Sequence, residues 1–172
     1  MRIAVDVMGG DNAPDQILKG CIQAIPLLSH DDRLLLIGDE STIKDGLSER
    51  GFAKDVRVEI VATTEVIGMD EPPVEAMKSK KDSSIVVMNQ MASPRAENRV
   101  DVVISAGNTG ACVAASQYFM RRLPGVVRPG ICVTVPTFSG PIVLIDVGAN
   151  IEPKPSHLAQ YGVMGDVYAR EI

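Results

Sequence analysis

The chain has 172 residues, 45% hydrophobic and 23% charged, a composition that suits one soluble globular domain or one lobe of a larger protein. A formal charge of −5 argues against broad, non-specific nucleic-acid binding, and the absence of Trp with only three Tyr and three Phe leaves no stacking platform for single strands. Cys21, Cys112 and Cys132 are odd in number and lack C-x-x-C spacing, so neither a disulfide framework nor a zinc site is expected, and a reducing cytoplasm fits.

The opening "MRIAVDVMGG" has one basic residue and a short apolar run broken by Asp6. It reads as a buried strand, Arg2 to Val7, and not as a secretory leader. No stretch is long enough to span a membrane. After the loop "MGGDNAP", Pro14 suits a first helical turn, and Ile17, Cys21, Ala24 and Leu28 recur at helical spacing until Pro26 disturbs them. Leu34 to Ile37 is a second strand. "ESTIKDGLSERG" is a short polar helix ending near Gly51, and Val56 to Val61 alternates as a third strand nearer a sheet edge. The long polar connection "ATTEVIGMDEPPVEAMKSKKDSS" holds a short helix after Pro73, and connections of this length in compact domains usually carry function or move. Ser83 to Met91 is helical and Val100 to Ile104 is a fourth strand. A helix runs from about Thr109 to Arg122. "ICVTVP" and "PIVLIDV" are two strands joined through "TFSG", and "KPSHLAQYGVMGDVYAREI" is a final helix. That helix pattern reaches Ile172 without a terminal glycine or tail, so one α/β domain belonging to a longer chain is expected. Alternating strands and helices predict a mostly parallel sheet covered on both faces, with the hairpin as its antiparallel exception.

Three apolar strands end in small loops: "VDVMGGDNAP", "VVISAGNTGA" and "VLIDVGAN". Ligands bind outside the carboxyl ends of strands in open parallel sheets, so three such ends side by side would line one cleft. "SAGNTGA" has two readings. As an anion cradle, it offers close backbone approach at Gly107 and Gly110, the hydroxyls of Ser105 and Thr109, the amide of Asn108 and a helix N-terminus. As a tight turn, it needs its glycines only for conformation and Thr109 only as a cap. It matches neither G-x-x-x-x-G-K-S/T nor G-x-G-x-x-G, which leaves nucleotide binding little support. Lys78, Lys80 and Lys81 beside Ser83 and Ser84 form either a phosphate or partner site or a solvated face. Asp146, Asn150 and His157 share one stretch, where the imidazole is either a proton carrier or a packed residue. Asp6, Asp11 and Asp146 stand at or near strand ends without a spacing diagnostic of metal. No G-x-S-x-G elbow occurs and no cysteine has a persuasive histidine partner, so a covalent acyl-enzyme is not the default.

Taken in order, "MRIAVDVMGGDNAP", "DEPPVEAMKSKKDSS", "ISAGNTGA", "VVRPG" and "LIDVGANIEPKPSHL" resemble the N-terminal half of the bacterial phosphate acyltransferase (PlsX) family of phospholipid synthesis. Each motif alone is weak, and five in order are specific. "MASPRAENR" departs from the family pattern by its length. The resemblance implies a three-layer α/β/α Rossmann-like fold of the isopropylmalate dehydrogenase and phosphotransacetylase type. It implies transfer of an acyl group from acyl-ACP to inorganic phosphate, with no cofactor and no metal. It also implies a cytoplasmic homodimer whose peripheral membrane contacts lie outside this half. It marks Lys81, Asn108 and His157 as catalytic positions. Gly9, Gly10, Asp11, Ser105, Gly107, Thr109, Gly110, Asp146, Gly148 and Asn150 are marked for phosphate or substrate. The roles come from the chemistry: Lys81 and the loop amides hold phosphate, Asn108 polarises the thioester carbonyl, and His157 passes a proton to the leaving sulfur. Acyl carrier protein is acidic, so either Arg121, Arg122 and Arg128 or the lysine cluster is expected to dock it. A short-chain phosphotransacetylase using acyl-CoA and a non-catalytic phosphate-binding lobe are the competing readings.

Overall fold

The computed structural model describes residues 1–172, which fold as two compact units, Met1–Arg121 and Arg122–Ile172. In the first, Arg2–Asp6 (β1), Arg33–Gly38 (β2), Val58–Ala62 (β3) and Val102–Ile104 (β4) form a parallel sheet in the order β3-β2-β1-β4. Ile3 stands opposite both Leu34 and Val102. β2 is a central strand, and its Leu34–Ile37 run is apolar without interruption because both of its faces are covered. Leu34 and Leu36 point into one core cluster, and Leu35 and Ile37 into the other, as a period of two requires. β3 lies at an edge and is only half-buried, in keeping with the alternation of "VRVEIV".

Helices Asp15–Ala24 (α1) and Glu40–Glu49 (α2) cover the Leu34 face through Leu18, Cys21, Ile22, Ile43 and Leu47. Pro26 falls in a 3₁₀ turn, Ile25–Leu27, directly after α1, because its ring cannot donate to the continuing helix. Asp39 caps α2: its Oδ1 accepts from the Thr42 hydroxyl at 2.6 Å, the Ser41 hydroxyl at 2.7 Å and the Thr42 amide at 2.8 Å, and these bonds hold its carboxyl at about 2. Helices Pro73–Ser79 (α3), Ser84–Met91 (α4) and Thr109–Phe119 (α5) cover the opposite face. This unit is an α/β fold of Rossmann-like type.

Several boundaries differ from the sequence pattern: β1 ends at Asp6 and not Val7, and β3 runs Val58–Ala62 and not Val56 to Val61. β4 begins at Val102 and not Val100, because the Val100 amide donates to Met91 O at 3.0 Å before sheet pairing starts. α5 stops at Phe119 and not Arg122: Arg121 takes a left-handed φ of 71°, which a helix cannot continue.

In the second unit, Cys132–Val135 (β5) and Ile142–Ile145 (β6) pair antiparallel as their own two-stranded sheet. Thr137 and Gly140 close the connection through two backbone hydrogen bonds of 3.2 Å, with Gly140 at a φ of +107° that its missing side chain permits. Pro155–Glu171 (α6) approaches the hairpin so closely at Gly165 that a Cβ there would sit 3.2 Å from Ile145 Cγ2. No helix of either unit is long and apolar enough to cross a membrane.

Candidate functional site

In the first unit the sheet changes winding direction between β1 and β4. The chain leaves β1 for α1 on one face, and leaves β4 for α5 on the other. A crevice outside the carboxyl ends of two such strands is where open α/β sheets bind ligands. Both glycine loops stand there. They touch backbone to backbone: a Cβ on Gly9 would meet Gly107 Cα at 2.9 Å, and one on Gly10 would meet Ala106 O at 3.2 Å. No side chain larger than hydrogen fits at Gly9, so the sequence "MGGD" is dictated by this contact.

Asp6, at the end of β1, lies beneath both loops and is fully buried. Its Oδ1 accepts from the Met8 amide at 3.1 Å, and its Oδ2 accepts from the Ser105 hydroxyl at 2.7 Å. The Ser105 Oγ in turn accepts from the Gly107 amide at 3.0 Å. Asn108 caps α5, its Oδ1 accepting from the Ala111 amide at 3.0 Å. Its Nδ2 faces three carbonyls, Gly68 at 3.0 Å, Glu71 at 3.1 Å and Met69 at 3.2 Å. The buried Asn108 therefore ties the long polar connection to the glycine loop, and its amide hydrogens are engaged. Glu71 strengthens the same hub by accepting from the Gly68 amide at 2.6 Å and from Lys80 Nζ at 2.5 Å. The Lys80 bond foremost, with the Gly68 amide, holds the Glu71 carboxyl below its usual range.

Those bonds leave a defined set of backbone donors. The amides of Ala111 and Cys112 are taken by Asn108, and that of Gly107 by Ser105. The amides of Thr109 and Gly110 open α5 without an intrahelical acceptor, at the positive end of its dipole. Thr109 and Asp11 are exposed, as is Lys81, which makes no ion pair. Lys78 is also exposed, whereas Lys80 is spent on Glu71 and on Val66 O at 2.7 Å. Cys112, in the first turns of α5, has its thiol pushed up by burial, with a hydrogen bond to Ser105 opposing the shift.

In the second unit Asp146 follows β6 and organises the "DVGAN" loop. It accepts from the amides of Ile131 (2.8 Å), Ala149 (3.0 Å) and Asn150 (2.8 Å), and from Asn150 Nδ2 (2.8 Å). Burial works against its charge, and these bonds more than offset it, so the carboxyl is held below its usual range. Asn150 Nδ2 also lies 2.8 Å from the hydroxyl of buried Tyr161 and 2.9 Å from Pro129 O. Burial foremost, and then the Asp146 charge, push the Tyr161 phenol up. Gly148 is exposed and takes a φ of +112° that the turn needs. His157 is buried in the first turn of α6, where its Nδ1 accepts from the Lys154 amide at 3.2 Å. That bond places the hydrogen of the neutral ring on Nε2.

Among the predicted site residues, Gly9, Gly10, Ser105, Gly107, Asn108, Thr109 and Gly110 are thus brought together in the first unit. Asp146, Gly148 and Asn150 gather in the second. Arg121 and Arg128 are exposed and make no ion pair, while the Arg122 guanidinium donates to Val127 O. Three contributors were missed in the sequence: Asp6 as a bridge, Glu71 as the partner of Lys80, and Tyr161 as the partner of Asn150. For Asp6 a signal exists, since a carboxylate inside an otherwise apolar strand must find buried donors.

A family model described as "Fatty acid synthesis protein" matches residues 1–172. Curated proteins called phosphate acyltransferase are similar to the whole chain. That of Salinibacter ruber is 44% identical over 171 residues, covering 99% of this chain and 50% of its own length. That of Desulfitobacterium hafniense is 45% identical over 172 residues, covering 100% and 49%. That of Bacillus subtilis is 43% identical over 173 residues, covering 100% and 50%. The chain spans about half the length of the curated relatives it matches.

Proposed function

Since the chain belongs to the fatty acid synthesis protein family, we propose that it carries the phosphate-handling loops of an acyltransferase that moves a fatty acyl group from acyl-ACP onto inorganic phosphate. The observation that carries this reading is the pair of glycine loops in contact at the switch point between β1 and β4, with the Thr109 and Gly110 amides unclaimed beside them. Phosphate is already a nucleophile, so the protein needs chiefly to place it and to stabilise the charge that develops on the carbonyl oxygen. A phosphate oxygen attacks the thioester carbonyl, the carbon–sulfur bond breaks, and the thiolate leaves and takes up a proton. The Thr109 and Gly110 amides and the α5 dipole hold the anion, with Gly9, Gly10 and Asp11 forming the other rim, and the exposed, unpaired Lys81 is assigned the balancing charge.

Asn108 contributes by fixing residues 68–71 against the loop, and its amide reaches a thioester carbonyl only by giving up one of those carbonyl contacts. His157 keeps the neutral tautomer set by its bond to Lys154, so its Nε2 can offer a hydrogen bond but not a proton, and the departing thiolate takes its proton from solvent. Asp146, Gly148 and Asn150 shape the loop that precedes it. Burial pushes the Cys112 thiol up, which lowers its thiolate fraction, and this reading takes transfer as direct. Docking of the acidic carrier falls to Arg121 in the first unit or Arg128 in the second, each free of ion pairs, or to Lys78 and Lys81; Lys80 and Arg122 are already engaged. The finished enzyme is a cytoplasmic homodimer, peripheral to the membrane.

A second reading is favoured by the second unit, where Phe138, Ile151, Val163 and Leu123 are largely exposed. On that reading the 172 residues bind phosphate but do not turn over alone. Incubating the chain with acyl-ACP or acyl-CoA, with and without inorganic phosphate, and trapping acyl phosphate with hydroxylamine separates the readings. Phosphate-dependent product from acyl-ACP supports the first. Product from acyl-CoA alone identifies a phosphotransacetylase. No product, alongside measurable phosphate binding, identifies the binding lobe.

A further inference from the structure

We propose that Asp6 and Ser105 are a positioning pair that sets the geometry of the anion site without touching the anion. The inference rests on reading the two glycine loops as the phosphate site, and it deepens that reading. Asp6 is a fully buried carboxylate that takes part in no ion pair. A charge in that position is costly and is poorly explained as a source of stability. What it does is orient hydrogens. An ionised carboxylate only accepts, so the Ser105 hydroxyl at 2.7 Å must point its hydrogen at Asp6. The Ser105 lone pair is then forced toward the Gly107 amide, 3.0 Å away. On the other side, the same carboxylate takes the Met8 amide at 3.1 Å. One acceptor group thereby fixes both loops, although Asp6 and Ser105 are 99 residues apart.

The spacing is tight. A Cβ on Gly9 would fall 2.2 Å from Asp6 Oδ2, and one on Gly107 would fall 3.2 Å from the same atom. The loops rest on the carboxylate and on each other, and a change in its hydrogen bonding moves them. Replacing Asp6 by Asn keeps the shape but leaves one acceptor atom for two donors. With Nδ2 toward Ser105 the hydroxyl hydrogen has to turn away and competes with the Gly107 amide, and with the amide flipped the Met8 amide faces a donor. A purely electrostatic role predicts the opposite sign, because removing a negative charge beneath an anion site should strengthen anion binding.

The test is an amide NMR titration of the 172-residue chain with inorganic phosphate, with thermal unfolding of each variant measured alongside. In the wild type, phosphate should shift the amides of Gly9, Gly10, Thr109 and Gly110. In Asp6→Asn, the half-saturating phosphate concentration should rise about tenfold, the size expected when one buried hydrogen-bond partner is mismatched. Ser105→Ala should raise it as well, and Ser105→Thr, which keeps the hydroxyl, should restore it; this pair carries the test should Asp6→Asn fail to fold. Equal phosphate affinity in wild type and Asp6→Asn, tighter binding in Asp6→Asn, or indistinguishable Ser105→Ala and Ser105→Thr variants would each overturn the pairing while leaving the phosphate site standing. A wild type whose loop amides ignore phosphate would overturn the site reading, and the pairing with it.

Discussion

The two units reach order by different means. Met1–Arg121 has a sheet sealed by apolar side chains on both faces, with Leu35, Leu36, Ile37 and Ile43 wholly removed from water. Arg122–Ile172 buries only Tyr161 among its apolar residues and His157 among its polar ones. It is held instead by a polar hub, in which Asp146 gathers three amides and Asn150 bridges Asp146, Pro129 and Tyr161. The hydrophobic effect is non-directional and summed over area, whereas a hydrogen-bonded hub depends on a few exact distances. The first unit should therefore resist local opening and lose stability in proportion to volume removed. The second should open locally and respond to single polar atoms.

The largest expected effect lies in the first unit. Leu35→Ala or Ile37→Ala removes a fully buried side chain from the sheet and should cost about 2–5 kcal/mol in urea denaturation. Hydrogen exchange of the β2 amides should accelerate by the same factor, because those amides exchange only when the whole unit opens. Asn150→Ala comes next. It removes the two Nδ2 hydrogens that Asp146, Pro129 O and the Tyr161 hydroxyl share and should cost about 1–3 kcal/mol. Its signature is regional: faster exchange at Ile131 and Ala149, with the β2 amides unchanged. If Asn150→Ala speeds exchange in β2 as much as in the hub, the two units unfold as one and the contrast between them collapses.

That contrast also governs what could be read from the sequence. Wherever apolar periodicity sets the structure, the chain announces it. The uninterrupted "LLLI" of β2, the alternation of β3 and the helical spacing of Ile17, Cys21 and Ala24 all lead to the observed elements. The glycine loops were legible as places of close approach because only Gly9 and Gly107 let two backbones touch. What was not legible is pairing at long range between polar atoms. Nothing local links Asp6 to Ser105, Asn108 to the carbonyls of 68–71, or Asn150 to Tyr161. Asn108 read as a free amide, and the fold spends it on a cap and a clamp. Lys78, Lys80 and Lys81 read as one cluster, and Glu71 removes Lys80 from it.

An acid titration sharpens the comparison at a single group. The Asp146 carboxyl is held below its usual value in the folded chain, so its charge stabilises the second unit at any pH above the unfolded value of about 3.9. That contribution disappears as the pH falls through the depressed folded value. Amide signals of Ile131, Ala149 and Asn150 should therefore lose protection on acidification below about pH 4, ahead of the amides of Leu35 and Leu36, which carry no titrating partner. Asp146→Asn should abolish this acid step in the hub. An acid transition that is identical in Asp146→Asn would take it away from this carboxylate and assign it to others.

The smallest effect is the most exacting check, because it should change sign. Val163 stands on α6 with 66% of its surface exposed. Truncating it to Ala removes little buried area, so no cavity term arises and the hydrophobic loss is slight. Ala also has the higher helix propensity, since the β-branched Val side chain loses rotamer freedom against the preceding turn. Val163→Ala should therefore be neutral to stabilising, within about 0.5 kcal/mol by urea denaturation, where truncation to Ala at buried Ile37 is severely destabilising. A cost above about 1 kcal/mol would mean that in solution the Val163 side chain is covered, and that the second unit owes part of its order to an apolar contact after all.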